Sequence, residues 1–300
     1  MNAYRAIFST ARAIAPFSTS ASTDFVDPQR LRLILFDFDG TLADSFQAVV
    51  AILDRLAPKF GYPRLTPDVI SRFRDFSSRE VLQHSDVAGW QRLWLLYCVK
   101  RELKAGLHQL RPIQGIEETL RGLRAAGYSL GIVTSNTRST VNAFLSLMGW
   151  HGYFTWVEAS HRIFSKDRAI SRLRRRLHLD CNAVAYVGDE TRDVEAARRA
   201  GVVSIAVAWG FNSERALRGS QPDLLLHHPH ELLNWLTSDR AASAETTPFP
   251  LGLAIGLDRN RKSAGKLKQH SPWFTGMVYG HCTVGSDRPR VRLLRSPSCP

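Results

Sequence analysis

The feature that most constrains the fold is a series of six short apolar runs that alternate with segments of helical periodicity. The runs have no helical polar face, as expected of strands buried on both sides, and they occupy residues 31–36, 128–133, 154–160, 183–187, 202–209 and 223–226. In one intervening segment, 168–177, Ile170, Leu173 and Leu177 share one face and the arginines another. Strands separated by helices form parallel βαβ units. The sequence therefore predicts an α/β fold with a doubly wound, Rossmann-like parallel sheet.

One long segment, residues 46–110, interrupts this alternation because it contains helical patterns and no strand run. An insertion of this kind after the first strand predicts an all-helical cap domain over the ligand-binding edge of the sheet. The catalytic core is then assigned to residues 31–45 and 111–239. Three aromatic residues of the insertion repeat at helical spacing, which favours a packing role over a base-stacking platform: Trp90, Trp94 and Tyr97.

The formal net charge of +13 raises the question of a nucleic-acid partner, so the distribution of the charge matters. Residues 240–300 carry ten Lys and Arg against three acidic residues, which makes +7. This segment mixes Pro, Gly and Ser with scattered apolar residues and shows no sustained period, so a basic, disordered tail is predicted. Because more than half of the charge lies outside the predicted core, no nucleic-acid partner is expected. A tail that binds RNA or has a regulatory role stays open as an alternative.

The N-terminal extension, residues 1–30, has no acidic residue before Asp24 and carries Arg5 and Arg12 in a stretch rich in apolar and hydroxyl residues. A cytoplasmic protein with a disordered extension is one interpretation. The alternative is a mitochondrial or plastid protein in which residues 1–24 form an amphipathic transit peptide. The four cysteines form no CxxC pair, which fits a reducing compartment. No apolar run approaches the ~20 residues of a membrane span, so no membrane partner is expected.

Three of the apolar runs end in clusters of polar residues, at the edge of the sheet where folds of this kind bind ligands. The clusters are Asp37, Asp39, Gly40 and Thr41 after the first run, Thr134, Ser135 and Asn136 after the second, and Gly188, Asp189 and Asp193 after the fourth. Carboxylates that converge at one edge repel each other unless a cation or a shared proton compensates. Oxygen ligands without His or Cys favour Mg²⁺ over zinc. The sequence therefore predicts a magnesium site among these aspartates.

Four segments carry a resemblance to a known family: LFDFDGTLADS (35–45), IVTSN (132–136), SKDRAI (165–170) and VGDETRDVEAARRAG (187–201). In order and spacing they resemble the four motifs of the haloacid dehalogenase superfamily. The similarity covers about residues 31–237. The segments FRDFSSREVL (73–82) and VAWGFN (207–212) are similar to the phosphoglycolate-phosphatase-like hydrolases with a helical cap. The resemblance implies a Mg²⁺-dependent phosphomonoester hydrolase whose partner is a small phosphorylated metabolite.

The resemblance also implies a role for each motif residue. Asp37 is the expected nucleophile, which forms an aspartyl-phosphate, and Asp39 is the expected general acid and base. Thr134 is expected to hold the transferring phosphoryl oxygens, and Lys166 to neutralise charge between Asp37 and the phosphate. Further phosphate contacts are expected from Gly40, Thr41, Ser135 and Asn136. The expected ligands of Mg²⁺ are Asp37, Asp39, Asp189 and Asp193. The presence of Asp39 argues for phosphoryl transfer rather than dehalogenation.

The sequence leaves the substrate open, because the core motifs contact only the phosphoryl group. Arg74, Ser78 and Arg79 in the predicted cap are candidates to contact the leaving group, and an arginine there suits an acid such as phosphoglycolate. A sugar phosphate, a nucleotide and a phosphosugar mutase activity remain as alternatives. Ser165 stands where family members often carry Gly before the lysine of the third motif, which is expected to affect efficiency rather than reaction class. The segment HHPHE (227–231) is predicted to be a surface turn rather than a metal site.

Overall fold

The core of the computed structural model is a six-stranded parallel β-sheet. The structure describes residues 26–76, 80–81, 87, 89–159 and 166–238, and every structural statement refers to these ranges. The described strands are β1 (Leu33–Phe36), β2 (Ala43–Asp44), β3 (Arg111–Pro112), β4 (Ser129–Thr134), β5 (Phe154–Ala159), β6 (Val184–Gly188), β7 (Val203–Val207) and β8 (Leu224–Leu226). The sheet has the order β5-β4-β1-β6-β7-β8, so each of the six predicted apolar runs forms one of its strands.

Helices cover both faces of the sheet, as a doubly wound fold requires. The described α-helices are α1 (Phe46–Phe60), α2 (Pro67–Phe73), α3 (Gly89–Ala105), α4 (Ile116–Ala125), α5 (Arg138–Met148), α6 (Lys166–Arg176), α7 (Thr191–Ala200), α8 (Glu214–Gly219) and α9 (Pro229–Thr237). Side chains alternate along β1, so Ile34 and Phe36 face the core that contains α4, α5 and α9, whereas Leu33 and Leu35 face α6 and α7. The predicted fold class is confirmed.

The order of the strands determines where a ligand site lies. Strand β1 is central, with β4 on one side and β6 on the other. The chain runs from β1 outward to β4 and β5, returns through α6 to β6, and then runs outward the other way to β7 and β8. The carboxyl ends of β1 and β6 therefore flank a topological switch point, which is where sheets of this kind bind ligands. Asp37 follows the first of these strands and Asp189 the second.

The inserted segment is helical, as predicted, in the residues that the structure describes between β2 and β3. It contains α1, α2 and α3, and α1 packs against α3. The sequence analysis missed the two short strands at its ends: β2 and β3 pair antiparallel, with Ala43 opposite Pro112 and Asp44 opposite Arg111. The points where the chain leaves the core and where it returns to the core are therefore adjacent. A strand of two residues is too short to produce an alternating pattern, which is why the sequence did not reveal it.

The packing role predicted for three aromatic residues of α3 is wrong. Trp90 is 72% exposed, and Trp94 and Tyr97 are 45% and 53% exposed. Trp94 and Tyr97 stack on each other, with ring centroids 5.1 Å apart. The buried face of α3 is formed instead by Leu95, Cys98, Val99 and Leu103. Helical spacing identifies residues that share a face, but it does not tell which face the rest of the protein covers.

Residues ahead of the predicted core already belong to the folded unit. Val26 packs against the main core cluster, and Pro28 is buried in a 3₁₀ turn. The predicted transit peptide and most of the N-terminal extension fall in residues 1–25, and the predicted basic tail falls in residues 239–300, so both lie outside the described residues. Among the helices described above, none is both long enough and apolar enough to cross a membrane.

The histidine-rich segment 227–231 is a surface turn, as predicted. His227 follows β8, and its Nε2 lies 3.2 Å from Oε2 of Glu214. Pro229 is the first residue of α9, and the exposed rings of His228 and His230 stack with centroids 5.5 Å apart.

Candidate active site

Asp37 lies where β1 ends, and its backbone N–H still takes part in the sheet by donating to the carbonyl oxygen of Val187 at 2.8 Å. The side chain is buried. Its Oδ2 lies 2.6 Å from the ammonium of Lys166, whereas its Oδ1 has no hydrogen-bond partner in the described part of the chain. Burying a carboxylate oxygen without a partner costs free energy. This oxygen is therefore placed to bind a cation or to attack an electrophile.

Lys166, the first residue of α6, joins two of the predicted site carboxylates. Its Nζ lies 2.6 Å from Oδ2 of Asp37 and 2.6 Å from Oδ1 of Asp193, and all three side chains are buried. The same ammonium lies 5.7 Å from the ring centroid of Tyr186. Burial lowers the pKa of Lys166, but the charges of Asp193 and Asp37 outweigh it and hold that pKa above its ordinary value. The lysine therefore stays charged between its two partners.

The three buried carboxylates of Asp37, Asp189 and Asp193 form a cluster, in which one oxygen of each lies within 4.8 Å of the others. Burial raises the pKa of Asp189 well above its usual range, and the charges of Asp193 and Glu190 raise it further. Burial also raises the pKa of Asp193 to about 6, although Lys166 opposes the shift. Lys166 pairs with Asp37 and Asp193, and no described ammonium or guanidinium group pairs with Asp189. The donor set is all oxygen and short of positive charge, so it fits the predicted Mg²⁺.

The carboxylate of Asp189 is held in a tight cradle. The hydroxyl of Thr41 donates to its Oδ1 at 2.7 Å, and the backbone N–H of Phe211 donates to its Oδ2 at 2.7 Å. A Cβ atom added at Gly40 or at Gly210 would lie 2.2 Å from that Oδ2, and Gly40 also has a φ of +77°. The sequence analysis predicts phosphate contacts for Gly40 and Thr41. The structure places both against Asp189, where the loop after β1 meets the end of β6, and the phosphate contacts stay predictions.

Asp39 and the loop after β4 form the second part of the site. The side-chain amide of Asn136 donates to Oδ2 of Asp39 at 3.0 Å, and the backbone N–H of Asn136 donates to the hydroxyl of Thr134 at 3.0 Å. Burial raises the pKa of Asp39, while the hydrogen bond from Asn136 and the charge of Lys166 partly oppose the shift. A raised pKa helps this carboxyl group to keep a proton that it can donate.

A cavity of about 270 Å³ extends from Asp39 into the inserted helices. Its walls are formed mostly by apolar side chains of α1, α2 and α3, including Leu53, Phe73 and Val99. Its polar end lies against the core and contains Asp39, Lys100, Ser135, Asn136, Glu190, Arg192 and Asn212. The inserted segment therefore contributes most of the surface that a bound leaving group would meet.

Two cations at the polar end, Lys100 and Arg192, were not predicted from the sequence. Lys100 on α3 donates to the backbone carbonyl of Ser135 at 3.1 Å, and Arg192 pairs with Glu190 at 2.5 Å. Arg192 lies inside the fourth motif, in the first turn of α7, so its position was a usable signal. The sequence gives no signal for Lys100, because a single lysine on a helix is usually a solvated residue.

The predicted cap residues have mixed outcomes. Arg74 is not among the residues that line the cavity: its guanidinium donates to the carbonyl oxygen of Gly210 at 2.9 Å and lies 5.1 Å from the ring centroid of Phe46. It therefore joins the inserted segment to the loop after β7. Three other residues singled out from the sequence lie outside the described residues, and their roles stay predictions: Ser78, Arg79 and Ser165.

Comparison with protein families gives a match between residues 34–207 and the haloacid dehalogenase-like hydrolases. The chain belongs to this family. The matched region is more than half of the chain and contains Asp37, Lys166 and Asp189, so the buried cluster lies within it. The resemblance inferred from the four motifs is confirmed.

The relatives include phosphoglycolate phosphatases. That of Synechococcus elongatus is 42% identical over 207 residues, which cover 69% of this chain and 98% of the relative. That of Xylella fastidiosa is 32% identical over 213 residues, which cover 67% and 91%. Among solved structures, a haloacid dehalogenase-like hydrolase of Streptococcus pneumoniae aligns with a TM-score of 0.60 at 25% identity and covers 69% of this chain and 99% of its own. These relatives confirm the expectation of a family phosphatase.

Proposed function

We propose that this phosphatase hydrolyses a small phosphomonoester with Mg²⁺ as its cofactor, through an aspartyl-phosphate on Asp37, and that phosphoglycolate is the favoured substrate. The observation that carries the proposal is the buried arrangement of Asp37, Lys166 and Asp193, in which one ammonium holds two carboxylates at 2.6 Å. It fixes one oxygen of Asp37 and leaves the other without a partner among the described residues. A carboxylate fixed in this way is suited to nucleophilic attack.

In the first step, the free oxygen of Asp37 attacks phosphorus, and the bond between phosphorus and the ester oxygen breaks. The leaving oxygen takes a proton from Asp39, whose burial favours the protonated form. Asn136 holds the Asp39 carboxyl group on the side of the cavity, where a leaving group would lie. The products are an aspartyl-phosphate on Asp37 and a free alcohol.

In the second step, a water molecule attacks the phosphorus atom and gives a proton to Asp39, which is now a carboxylate. The bond between phosphorus and Asp37 breaks, which releases inorganic phosphate and restores both aspartates to their starting protonation states. Lys166 opposes the negative charge that Asp37 and the phosphoryl group would otherwise bring together. Thr134 has a buried hydroxyl at the end of β4, from which it is placed to donate to a phosphoryl oxygen.

Asp37, Asp189 and Asp193, with the backbone carbonyl of Asp39, would hold the metal ion. When bound, Mg²⁺ supplies positive charge that neutralises the phosphoryl oxygens and the clustered carboxylates. The protein itself keeps Asp189 fixed through Thr41 and the backbone N–H of Phe211. A carboxylate held by two donors keeps its orientation when the ion leaves.

The assignment to phosphoglycolate rests on the relatives and on the cavity. The cyanobacterial phosphoglycolate phosphatase aligns over nearly its whole length. The described cavity walls are mostly apolar, so sugar hydroxyl groups that extend past the polar end would lose their water and gain few partners among the described residues. This favours a short leaving group over a sugar, and hydrolysis over a phosphosugar mutase reaction.

The test is phosphate release by the full chain from phosphoglycolate with Mg²⁺, for the wild type and for Asp37→Asn. The variant should lose at least ~10³-fold of the rate while its thermal unfolding stays cooperative. Asp68→Asn, which removes an exposed carboxylate of α2, is the matched control and should retain full activity. Phosphate release by Asp37→Asn at the wild-type rate would refute the nucleophile. Isomerised glucose phosphate without net phosphate release would instead establish a mutase.

A further inference from the structure

The cavity is lined by a cation, Lys100, that makes no ion pair with a described carboxylate. Of the two cations at its polar end, Arg192 pairs with Glu190 at 2.5 Å. For Lys100, the described residues provide one acceptor, the neutral carbonyl of Ser135 at 3.1 Å, and no carboxylate within 4.0 Å of its Nζ. An ammonium has three donors, so Lys100 keeps hydrogen-bonding capacity for a ligand.

The position of Lys100 places it on the leaving-group side of the reaction. It is carried by α3 of the inserted segment, and it reaches the loop after β4, which also carries Asn136. Asn136 in turn contacts Asp39, the expected donor of the proton to the leaving oxygen. Asp39 and Lys100 both line the cavity, whereas Asp37 and Lys166 do not. A group bound by Lys100 is therefore part of the alcohol that leaves rather than of the phosphoryl group.

We propose that Lys100 determines the substrate class by binding the carboxylate of a short phosphorylated acid next to Asp39. The inference rests on the proposed phosphatase function. Beyond Lys100 the described walls of the cavity are apolar, so a second carboxylate or several hydroxyls farther along the leaving group would find few partners. The site is thus suited to one negative charge close to the ester oxygen. This adds Lys100 to the leaving-group candidates of the sequence analysis, which were Arg74, Ser78 and Arg79.

The test compares two substrates that differ only at the group Lys100 would bind. Phosphoglycolate has a carboxylate where ethyl phosphate has a methyl group. Lys100→Met should lower kcat/KM for phosphoglycolate by about 10- to 150-fold, mainly through KM, because a hydrogen bond to a charged group is worth about 1.5–3 kcal/mol at 1.4 kcal/mol per tenfold change. The same variant should change kcat/KM for ethyl phosphate by less than about threefold.

Two further variants separate a binding role from a structural one. Lys100→Arg keeps the charge and should retain most of the preference for phosphoglycolate. Lys104→Met removes an exposed lysine one turn along the same helix and should change neither substrate. Equal losses on both substrates in Lys100→Met, or no loss on either, would overturn the inference.

The outcome for the wild type distinguishes failure of the inference from failure of the proposed function. If the wild type hydrolyses ethyl phosphate as well as phosphoglycolate, the phosphatase function stands and selection by Lys100 is refuted. If it releases phosphate from neither ester in the presence of Mg²⁺, the proposed function fails and the inference fails with it.

Discussion

Replacing Asp189 by Asn tests whether the three buried carboxylates form a cation site. The variant keeps the shape of the side chain and most of its contacts. An amide oxygen can still accept from the backbone N–H of Phe211, and the amide nitrogen can donate to the hydroxyl of Thr41, which then acts as the acceptor. The change in charge is therefore the main effect of the substitution.

The structure gives the size of that effect. Two unit negative charges 4.8 Å apart repel by about 3.5 kcal/mol at an effective dielectric constant of ~20. Asp189 faces the charges of Asp37, Asp193 and Glu190. Lys166 lies 2.6 Å from the first two and Arg192 pairs with Glu190, which offsets much of the repulsion. Removing the charge of Asp189 should therefore stabilise the metal-free protein by about 1–3 kcal/mol. At about 2–4 °C per kcal/mol, this is a rise in Tm of about 2–12 °C.

Magnesium should shift the difference in stability towards the wild type by at least about 1.8 kcal/mol. At a Mg²⁺ concentration one hundred times the Kd, binding stabilises the wild type by about 2.7 kcal/mol, a rise in Tm of about 5–11 °C. Asp189→Asn should gain less than about a third of this, because the ion loses a charged ligand. The assay is thermal unfolding of both proteins at pH 8, first in EDTA and then in a Mg²⁺ titration.

The control for this experiment is Asp223→Asn. Asp223 accepts from the backbone N–H of Ser204 at 2.8 Å and from its hydroxyl at 2.7 Å, so its carboxylate is also a structural acceptor, but it lies outside the cluster. This variant should keep the full stabilisation by Mg²⁺. The cation site is refuted if Asp189→Asn is less stable than the wild type in EDTA and still gains the full shift with Mg²⁺.

Two further predictions concern the loop after β7. Gly210→Ala should abolish stabilisation by Mg²⁺ and lower phosphate release at least ~10-fold, since its Cβ would lie 2.2 Å from Oδ2 of Asp189; Gly219→Ala, with nothing within 4 Å, should leave both unchanged. The side chain of Asn212 accepts a hydrogen bond from the backbone N–H of Thr191 and donates to the carbonyl oxygens of Arg74 and Phe76, at 2.7–3.0 Å. Asn212→Ala removes all three of these hydrogen bonds. The variant should have a free energy of unfolding about 2–3 kcal/mol lower, measured in urea. An unchanged urea midpoint would show that these hydrogen bonds do not stabilise the fold.

The elements predicted correctly are the strands of the sheet, which helices cover on both faces. Strand β1 reads as four apolar residues followed directly by Asp37, because a central parallel strand is covered on both faces and its carboxyl end opens on the ligand site. The same reasoning placed Asp189 after β6, so two strand ends sufficed to predict the acidic cluster. The supporting role of Gly40 was not predictable in this way, because it depends on a close approach between two loops far apart in sequence.

The inserted helices were harder to interpret because residue spacing shows which side chains share a helix face, but not which face is covered. Trp94 and Tyr97 have the spacing of a buried face, yet they lie on the exposed side of α3. Lys100 is exposed as well, but its side chain reaches the loop after β4. Which face is covered depends on how the insertion docks on the core, and no local pattern records that. The contact of Arg74 with Gly210 was not predictable for the same reason, because Gly210 is 136 positions away in the chain.

This difference follows from how the reaction is divided between the two parts of the molecule. In the proposed reaction the core binds the phosphoryl group, and the motifs that carry Asp37, Lys166 and Asp189 are recognisable in one sequence. In the proposed reaction the inserted segment meets the leaving group, and among its described residues one lysine, on a helix face, lies at the polar end of the cavity. Changing Lys100 should therefore alter which phosphomonoesters are hydrolysed and leave the phosphoryl chemistry intact. A change of substrate within this architecture requires no change in β1, β4 or β6.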